Sequence, residues 1–419
     1  MTRFLTAALV TTALSAPAFA VEPAEVVAHY ADLAAAKYGD SLITAQALQG
    51  AVAALIAAPS DETLTAARDA WKAARAPYQQ TEAFRFGNAV VDDWEGRVNS
   101  WPLDEGLIDY VAVGSAVNEE NAQAGLNVIA TPKFTLSGTE VDATTITPEL
   151  ISGTLHEADG IEANVASGYH AIEFLLWGQD LNGTGPGAGA RPYTDFAAGD
   201  ACTGGNCDRR AAYLTAATDL LVSDLTYISD AWAKDGAARA LVTADPNAGL
   251  LAMLTGMGSL SYGELGGERM KLGLMLNDPE EEQDCFSDNT YNSHYYDGVG
   301  IRDVFYLGRY TRVDGSEMTG PSLSDLVASK DAAVDSQLKA ELDASVDALL
   351  AVKTAAEGGL AYDQMLEAGN KEGEALIMGA VDALVTQTAS IERAVGALGL
   401  SKIDFEGSES LDNPNAVFQ

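Results

Sequence analysis

The sequence has few of the residues that build catalytic zinc sites. Its 419 residues include four histidines and three cysteines. It contains no His-Glu-x-x-His segment, in which zinc peptidases use both histidines as ligands and the glutamate as general base. A histidine-rich zinc site therefore cannot be built from any one segment of this chain.

Basic residues are also scarce. Lysine and arginine number 24 against 61 aspartates and glutamates, which gives a formal net charge of −37. Because this excess of negative charge would repel nucleic acid phosphates, we expect no nucleic-acid partner. An acidic surface attracts cations only weakly, and solubility or adaptation to salty surroundings is the simpler explanation of it.

After residue 20 we find no apolar run long enough to span a membrane. Residues 1–20 combine one basic residue, Arg3, with an apolar stretch and small residues at Ala18 and Ala20, the pattern of a secretory signal peptide. No cysteine follows the cleavage point, so a lipid anchor is not expected there. We predict a soluble protein, periplasmic or otherwise exported, that starts near Val21.

Two of the three cysteines are five residues apart. Cys202 and Cys207 bracket a short loop, and in an oxidising compartment this spacing favours a disulfide. A zinc knuckle would need two more ligands nearby, and the sequence offers none. Cys285 is left over, and we interpret it as a buried or unpaired thiol.

Apolar residues recur at helical spacing through most of the chain, as in residues 64–78 and 334–349. Only residues 128–146 are β-like, which predicts at most one small hairpin. Because each half can supply about four helices, we predict an all-α protein of two side-by-side bundles. We expect an N-terminal bundle at 21–235, a C-terminal bundle at 236–402 and a loose polar tail at 403–419.

The segment around His170 is the most informative. His170 and Glu173 are three residues apart in an apolar stretch that ends at Trp177, and we predict a helix over about 160–177. On a helix, both side chains leave the same face. Buried ionisable groups need a partner, so this pair fits either a metal ion or a plain hydrogen-bonded pair that orients the helix.

Three further segments carry acidic groups. Glu82 and Arg85 favour a salt bridge, with a ligand role for Glu82 as the second possibility. Glu264 and Glu268 share one face of a glycine-rich helix at 249–276, beside Arg269, and we expect the glycines to admit the His170 helix closely. Residues 278–294 are rich in oxygen ligands but do not fit a calcium loop, so a solvated loop is the simpler interpretation.

The chain resembles the imelysin family through an ordered set of motifs. Gly168, His170 and Glu173 form its Gly-x-His-x-x-Glu motif, and the similarity extends to residues 78–87, 178–187, 263–270 and 285–290. The founding member was described as an insulin-cleaving outer-membrane peptidase, and other members are iron-regulated periplasmic proteins. The resemblance, strongest to the branch of iron-regulated protein A, implies two helical bundles with a site in the groove between them and a link to iron uptake.

Three functions are consistent with these features. The first is binding of a metal ion, or of a ligand that carries one, in the service of iron uptake or homeostasis. The second is a metallopeptidase, and the third is an interaction module of an envelope uptake complex whose His–Glu pair only stabilises the fold. One imidazole among carboxylates suits iron, with manganese or zinc left open. The expected ligands are His170, Glu173, Glu82, Glu264 and Glu268, supported by Gly168, Arg85, Arg269 and Trp177.

Overall fold

The computed structural model describes residues 21–112 and 121–418. Within them the regular structure is almost entirely helical, which confirms the all-α class. The predicted signal peptide at 1–20 lies outside the described residues. The helices are α1 (Pro23–Ala57), α2 (Asp61–Gln79), α3 (Ala89–Asn99), α4 (Pro148–Leu150), α5 (Gly168–Trp177), α6 (Cys207–Trp232), α7 (Ala237–Thr243), α8 (Pro246–Ser259), α9 (Leu272–Leu276), α10 (Thr290–Val299), α11 (Leu323–Lys330), α12 (Ala332–Glu357), α13 (Tyr362–Leu366), α14 (Lys371–Ala397) and α15 (Glu409–Asp412).

Some of the helical backbone has π geometry, in which hydrogen bonds join residues five apart. Ile151–Leu155 continues α4, Leu260–Lys271 joins α8 to α9, and Gly300–Tyr306 continues α10. Leu260–Lys271 is the glycine-rich segment that contains Glu264 and Glu268.

The long helices pack as two neighbouring bundles, as predicted. Helix α1 lies against α2 and α6, whereas α12 lies against α14 and α10. Helix α10 also packs on α2, which brings the two bundles together next to α5. The boundary between residues 235 and 236 stays a prediction.

The stripe of apolar residues predicted for α2 faces the core. Leu64, Trp71 and Tyr78 are all buried. The Ser60 hydroxyl accepts a hydrogen bond from the backbone N–H of Thr63 at 3.2 Å, which satisfies one of the free donors at the start of the helix. Pro77 lies inside the last turn, and the helix continues past it to Gln79.

Helix α1 contradicts the expectation that no segment after residue 20 is long and apolar enough to span a membrane. Its 35 residues are long and apolar enough, by length and composition, to cross a membrane, because the segment is rich in alanine. Core helices pass the same test. Leu33, Leu48 and Leu55 of this helix are buried, and Lys37 and Asp40 are buried beside them.

The hairpin predicted within 128–146 is present. Strands β1 (Lys133–Leu136) and β2 (Thr139–Asp142) pair antiparallel, with Phe134 opposite Val141. The described residues also contain a second hairpin, β3 (Arg309–Thr311) with β4 (Glu317–Thr319), so the limit of one hairpin is wrong. Strands of three residues are too short to show the alternation of apolar and polar residues from which a strand is predicted.

The C-terminal tail is docked, whereas the sequence predicted it to be loose. Its Phe405 ring lies where a side chain at Gly258 would project. The Ser410 hydroxyl donates to the carbonyl oxygen of Gly267 at 3.0 Å. Gly258, Gly263 and Gly267 therefore admit the tail, and the glycines of this segment do not admit the His170 helix as expected.

Helix α5 begins later than predicted, at Gly168 and not near residue 160. Ser167 is extended, with φ −131° and ψ 180°, and Gly168 has φ +81°. The positive φ turns the chain sharply into the helix, a conformation that favours glycine. All ten residues of α5 are buried, so this short helix is the central element of the molecule.

A cluster of aromatic rings joins the two halves of the chain. Tyr30 and Phe84 lie 5.3 and 4.4 Å from the ring of Phe305, measured between centroids. Trp232 packs edge-on against Phe84 at 5.3 Å. Cys202 and Cys207 form the expected disulfide, and Cys285 is half-buried outside any disulfide of the described chain.

Candidate metal centre

Helix α5 presents His170 and Glu173 side by side in the protein interior. His170 is 1% exposed and Glu173 is fully buried. The Nδ1 atom of His170 lies 3.1 Å from Oε2 of Glu173. The i, i+3 spacing thus places both groups on one face, as the sequence predicts.

Asp284 completes the cluster from the other half of the chain. It is fully buried, and its Oδ1 lies 3.8 Å from Nδ1 of His170. One ligand atom from each of His170, Glu173 and Asp284 lies within 4.8 Å of the others. These three groups can hold a metal ion through one imidazole nitrogen and two carboxylate oxygens, and we name them the metal centre.

Neighbouring donors fix both carboxylates. The backbone N–H and the hydroxyl of Ser287 donate to Oε1 of Glu173 at 3.0 and 2.6 Å. Asp284 accepts from Arg75 Nη2 at 2.9 Å, from the side-chain amide of Asn289 and from the hydroxyl of Ser293. Such outer hydrogen bonds orient metal-binding carboxylates.

Burial sets the protonation of the centre. It lowers the pKa of His170 to about 3, with nearby Arg75 acting in the same direction, so the imidazole is neutral near pH 7. Burial likewise raises the pKa of Glu173 well above its usual range, and Asp284 adds to that shift. For Asp284, burial acts upward, but Arg75 and the hydrogen bonds from Ser293 and Asn289 bring its pKa below the usual value.

The second imidazole nitrogen supports a metal ligand. Nε2 of His170 is buried and has no hydrogen-bond partner in the described parts of the chain. An unpaired buried nitrogen is costly, and a neutral imidazole is the form that binds metals. The donor set of this structure therefore fits a metal ion.

Arg269 occupies the centre of a separate, adjacent ionic cluster. Its guanidinium contacts Glu82 at 2.6 Å, Glu264 at 2.8 Å and Asp297 at 3.3 Å. Glu82 also accepts from the amide of Asn99 at 3.2 Å. Glu82 and Glu264 therefore pair with Arg269, and the structure does not bring them into the metal centre.

The π geometry of Leu260–Lys271 explains why the prediction that Glu264 and Glu268 act together as ligands differs from the structure. In an α-helix Glu264 and Glu268 share a face, but in a π-helix the neighbour one turn along is five residues away. Arg269 is that neighbour, and its Nε atom donates to Glu264 at 2.9 Å. Glu268 is half-buried and lies outside the metal centre.

The supporting residues Arg85 and Trp177 make their contacts outside the metal centre. Arg85 forms ion pairs with Asp92, Glu95 and Glu264 at 3.4 to 3.7 Å, and not with Glu82. Trp177 packs edge-on against Trp71, with 5.4 Å between ring centroids, and so anchors the end of α5 to α2.

Sequence reasoning missed Asp284, Arg75 and Ser287. The oxygen-rich stretch 278–294 was a signal for Asp284, but its composition favoured a solvated loop. Nothing in the pattern of α2 distinguishes Arg75 from a surface arginine. His294 is fully buried near Tyr362, and it lies outside the metal centre.

Fold and site together define an all-α, two-bundle protein with a buried cluster of one histidine and two carboxylates at the junction of its halves. The imelysin family model matches residues 34–391, most of the chain. The chain therefore belongs to the imelysin family.

Individual relatives agree with this assignment. An iron-regulated protein A of Synechococcus elongatus is 35% identical over 72 residues, which cover 17% of this chain and 20% of that protein. A protein of Parabacteroides distasonis, described as an iron-regulated protein A precursor, has a similar fold, with a TM-score of 0.64, 21% identity, and coverage of 90% of this chain and 95% of its own. An imelysin-like protein of Psychrobacter arcticum has a TM-score of 0.55 and 15% identity, with 91% and 95% covered.

Proposed function

We propose that this protein is an exported metal-binding member of the imelysin family that holds iron and serves iron uptake or homeostasis in the cell envelope. His170, Glu173 and Asp284 would be its protein ligands. The observation that carries the proposal is the gathering of one imidazole and two carboxylates, all buried, with one ligand atom of each within 4.8 Å of the others.

The chemistry of the donors favours iron or manganese. Two carboxylate oxygens and one imidazole suit these ions, whereas zinc sites use more nitrogen or sulfur ligands. Ser287 would keep the Glu173 carboxylate turned toward the ion, and Arg75 would do the same for Asp284. A bound ion would neutralise negative charge that Arg75 balances only in part.

The organisation of the chain supports a site between two units. His170 and Glu173 precede residue 235, and Asp284 follows residue 236. We propose that the bundles 21–235 and 236–402 meet at the ion, so that binding tightens their contact. The names of the relatives from Synechococcus and Parabacteroides supply the link to iron, and residues 1–20 supply the link to export.

Peptide hydrolysis fits the geometry less well. A substrate peptide and an attacking water must reach the metal and a general base. His170, Glu173 and Asp284 are all at most 1% exposed. Because the described parts of the chain cover all three side chains, a polypeptide cannot contact them directly in this structure, and we favour ion binding over a metallopeptidase.

The test is a titration of chelator-stripped protein with Fe(II) under anaerobic conditions, and with Mn(II) and Zn(II), followed by calorimetry. We expect His170→Ala to weaken binding of the preferred ion by at least about 100-fold, because it removes a direct ligand and not only an outer contact. His29→Ala is the control, since His29 bonds to the Gly308 carbonyl oxygen and is not one of the three grouped residues.

Equal binding by His170→Ala and the wild type would exclude the metal centre. The His–Glu pair would then be a stabilising contact, as the interaction-module hypothesis requires. Hydrolysis of casein by the wild type that is lost in His170→Ala would instead favour the metallopeptidase.

A further inference from the structure

A second group of carboxylates lines a small cavity that the metal centre does not use. Asp180, Glu280, Glu282 and Asp363 line it, together with the glycine-rich loop at Gly183. We call this the acidic cavity. Its groups come from the loop after α5, from the turn before Asp284 and from α13, so three separate segments converge on it.

Two of these carboxylates are buried with little hydrogen bonding. Glu282 is 1% exposed and Asp363 is 2% exposed. None of their four oxygens accepts a hydrogen bond of good geometry from the described residues, although the Thr290 hydroxyl lies beside Glu282 and the backbone N–H of Gln364 beside Asp363. Buried carboxylates normally bind several donors, as Asp284 does, so these poorly bonded oxygens point to a ligand that is positively charged.

The cavity also lacks compensating charge. None of its four carboxylates takes part in a salt bridge within residues 21–112 and 121–418. Burial and the nearby Asp180 together raise the pKa of Asp363 to about 6. Burial, Asp363 and Asp180 likewise raise the pKa of the adjacent Asp288 to about 7, against an opposing effect of Lys72. Like charges at this density destabilise the empty cavity and would favour a bound cation.

We propose that the acidic cavity is a second cation site, specific for a hard divalent ion such as Ca²⁺. Glu282 and Asp363 would be its central ligands, and Asp180 and Glu280 would complete it from the rim. The lining offers carboxylate oxygens, one thiol (Cys285) and no imidazole, and carboxylate oxygen is the ligand type that calcium takes. Calcium tolerates irregular geometry and accepts water as a ligand, so carboxylates on three separate segments suit it.

The decisive experiment is calorimetric titration of the full mature chain with Ca²⁺ in 0.15 M NaCl, after chelator treatment. We expect one saturable site in the wild type and in His170→Ala. The double variant Glu282→Gln/Asp363→Asn should lose this site, with affinity reduced at least 100-fold. Its matched control is Asp347→Asn/Asp382→Asn, which removes the same charge from exposed positions and should bind normally.

Thermal unfolding gives a second readout. Ca²⁺ should raise the melting temperature of the wild type, whereas in EDTA the cavity variant should be at least as stable as the wild type, because it loses carboxylate repulsion. If the double variant does not fold, Asp180→Asn at the rim replaces it, with an expected loss of about tenfold in affinity. Absence of a saturable Ca²⁺ site in the wild type, or its retention in the cavity variant, would overturn the proposal. Neither result tests the metal-binding role proposed for His170.

Discussion

Replacing Arg75 by methionine is expected to lower the free energy of unfolding by about 3–5 kcal/mol, the usual effect of removing one partner of a buried ion pair. Arg75 is fully buried and donates to Asp284 at 2.9 Å and to Asn99 at 2.7 Å. Its guanidinium also lies 5.0 Å from the ring centroid of Tyr169. Methionine fills much of the volume but leaves the Asp284 carboxylate without its cation.

A double variant separates charge from packing. Arg75→Met/Asp284→Asn removes both charges, so it should recover a large part of the lost stability in urea unfolding. Arg393→Met is the surface control: that arginine is 49% exposed and should cost less than about 0.5 kcal/mol. A loss below 1 kcal/mol for Arg75→Met would mean that Asp284 is protonated or compensated by another group.

The sequence predicts the helices well because their burial follows a simple period. Leu64, Trp71 and Tyr78 face the core on the expected side of α2, and the hairpin at 133–142 lies where its composition places it. Local glycine effects are harder to read. Glycines of this segment suggested an approach of α5, but the segment packs against the tail at Phe405. A glycine indicates that another group lies close, and it does not indicate which group.

The three groups of the candidate metal centre could be predicted only in part. His170 and Glu173 are neighbours on one helix, so their spacing determines that they meet. Asp284 lies 111 positions further along than Glu173, and its contact depends on how α10 packs against α2. Glu264 joins Arg269 because the backbone there has π geometry, which the residue pattern does not distinguish from an α-helix.

Gly168 is expected to be the most sensitive position of the Gly-x-His-x-x-Glu motif after the ligands themselves. Its φ is +81°, which costs an alanine about 1–3 kcal/mol. A Cβ atom there would also overlap the backbone carbonyl of Val98 at the end of α3, so α3 and α5 would have to move apart. Overpacking of this kind adds a comparable penalty.

Gly168→Ala should therefore lower the free energy of unfolding by about 2–5 kcal/mol and weaken metal binding, because the displaced helix carries His170 and Glu173. Gly379→Ala is the matched control: Gly379 is exposed on α14 with no neighbour within 4 Å. Alanine should stabilise that helix by up to about 1 kcal/mol. Urea unfolding and metal titration of both variants check the prediction. Equal changes in the free energy of unfolding would contradict the prediction, because the same glycine-to-alanine change should destabilise the protein at Gly168 and stabilise it at Gly379.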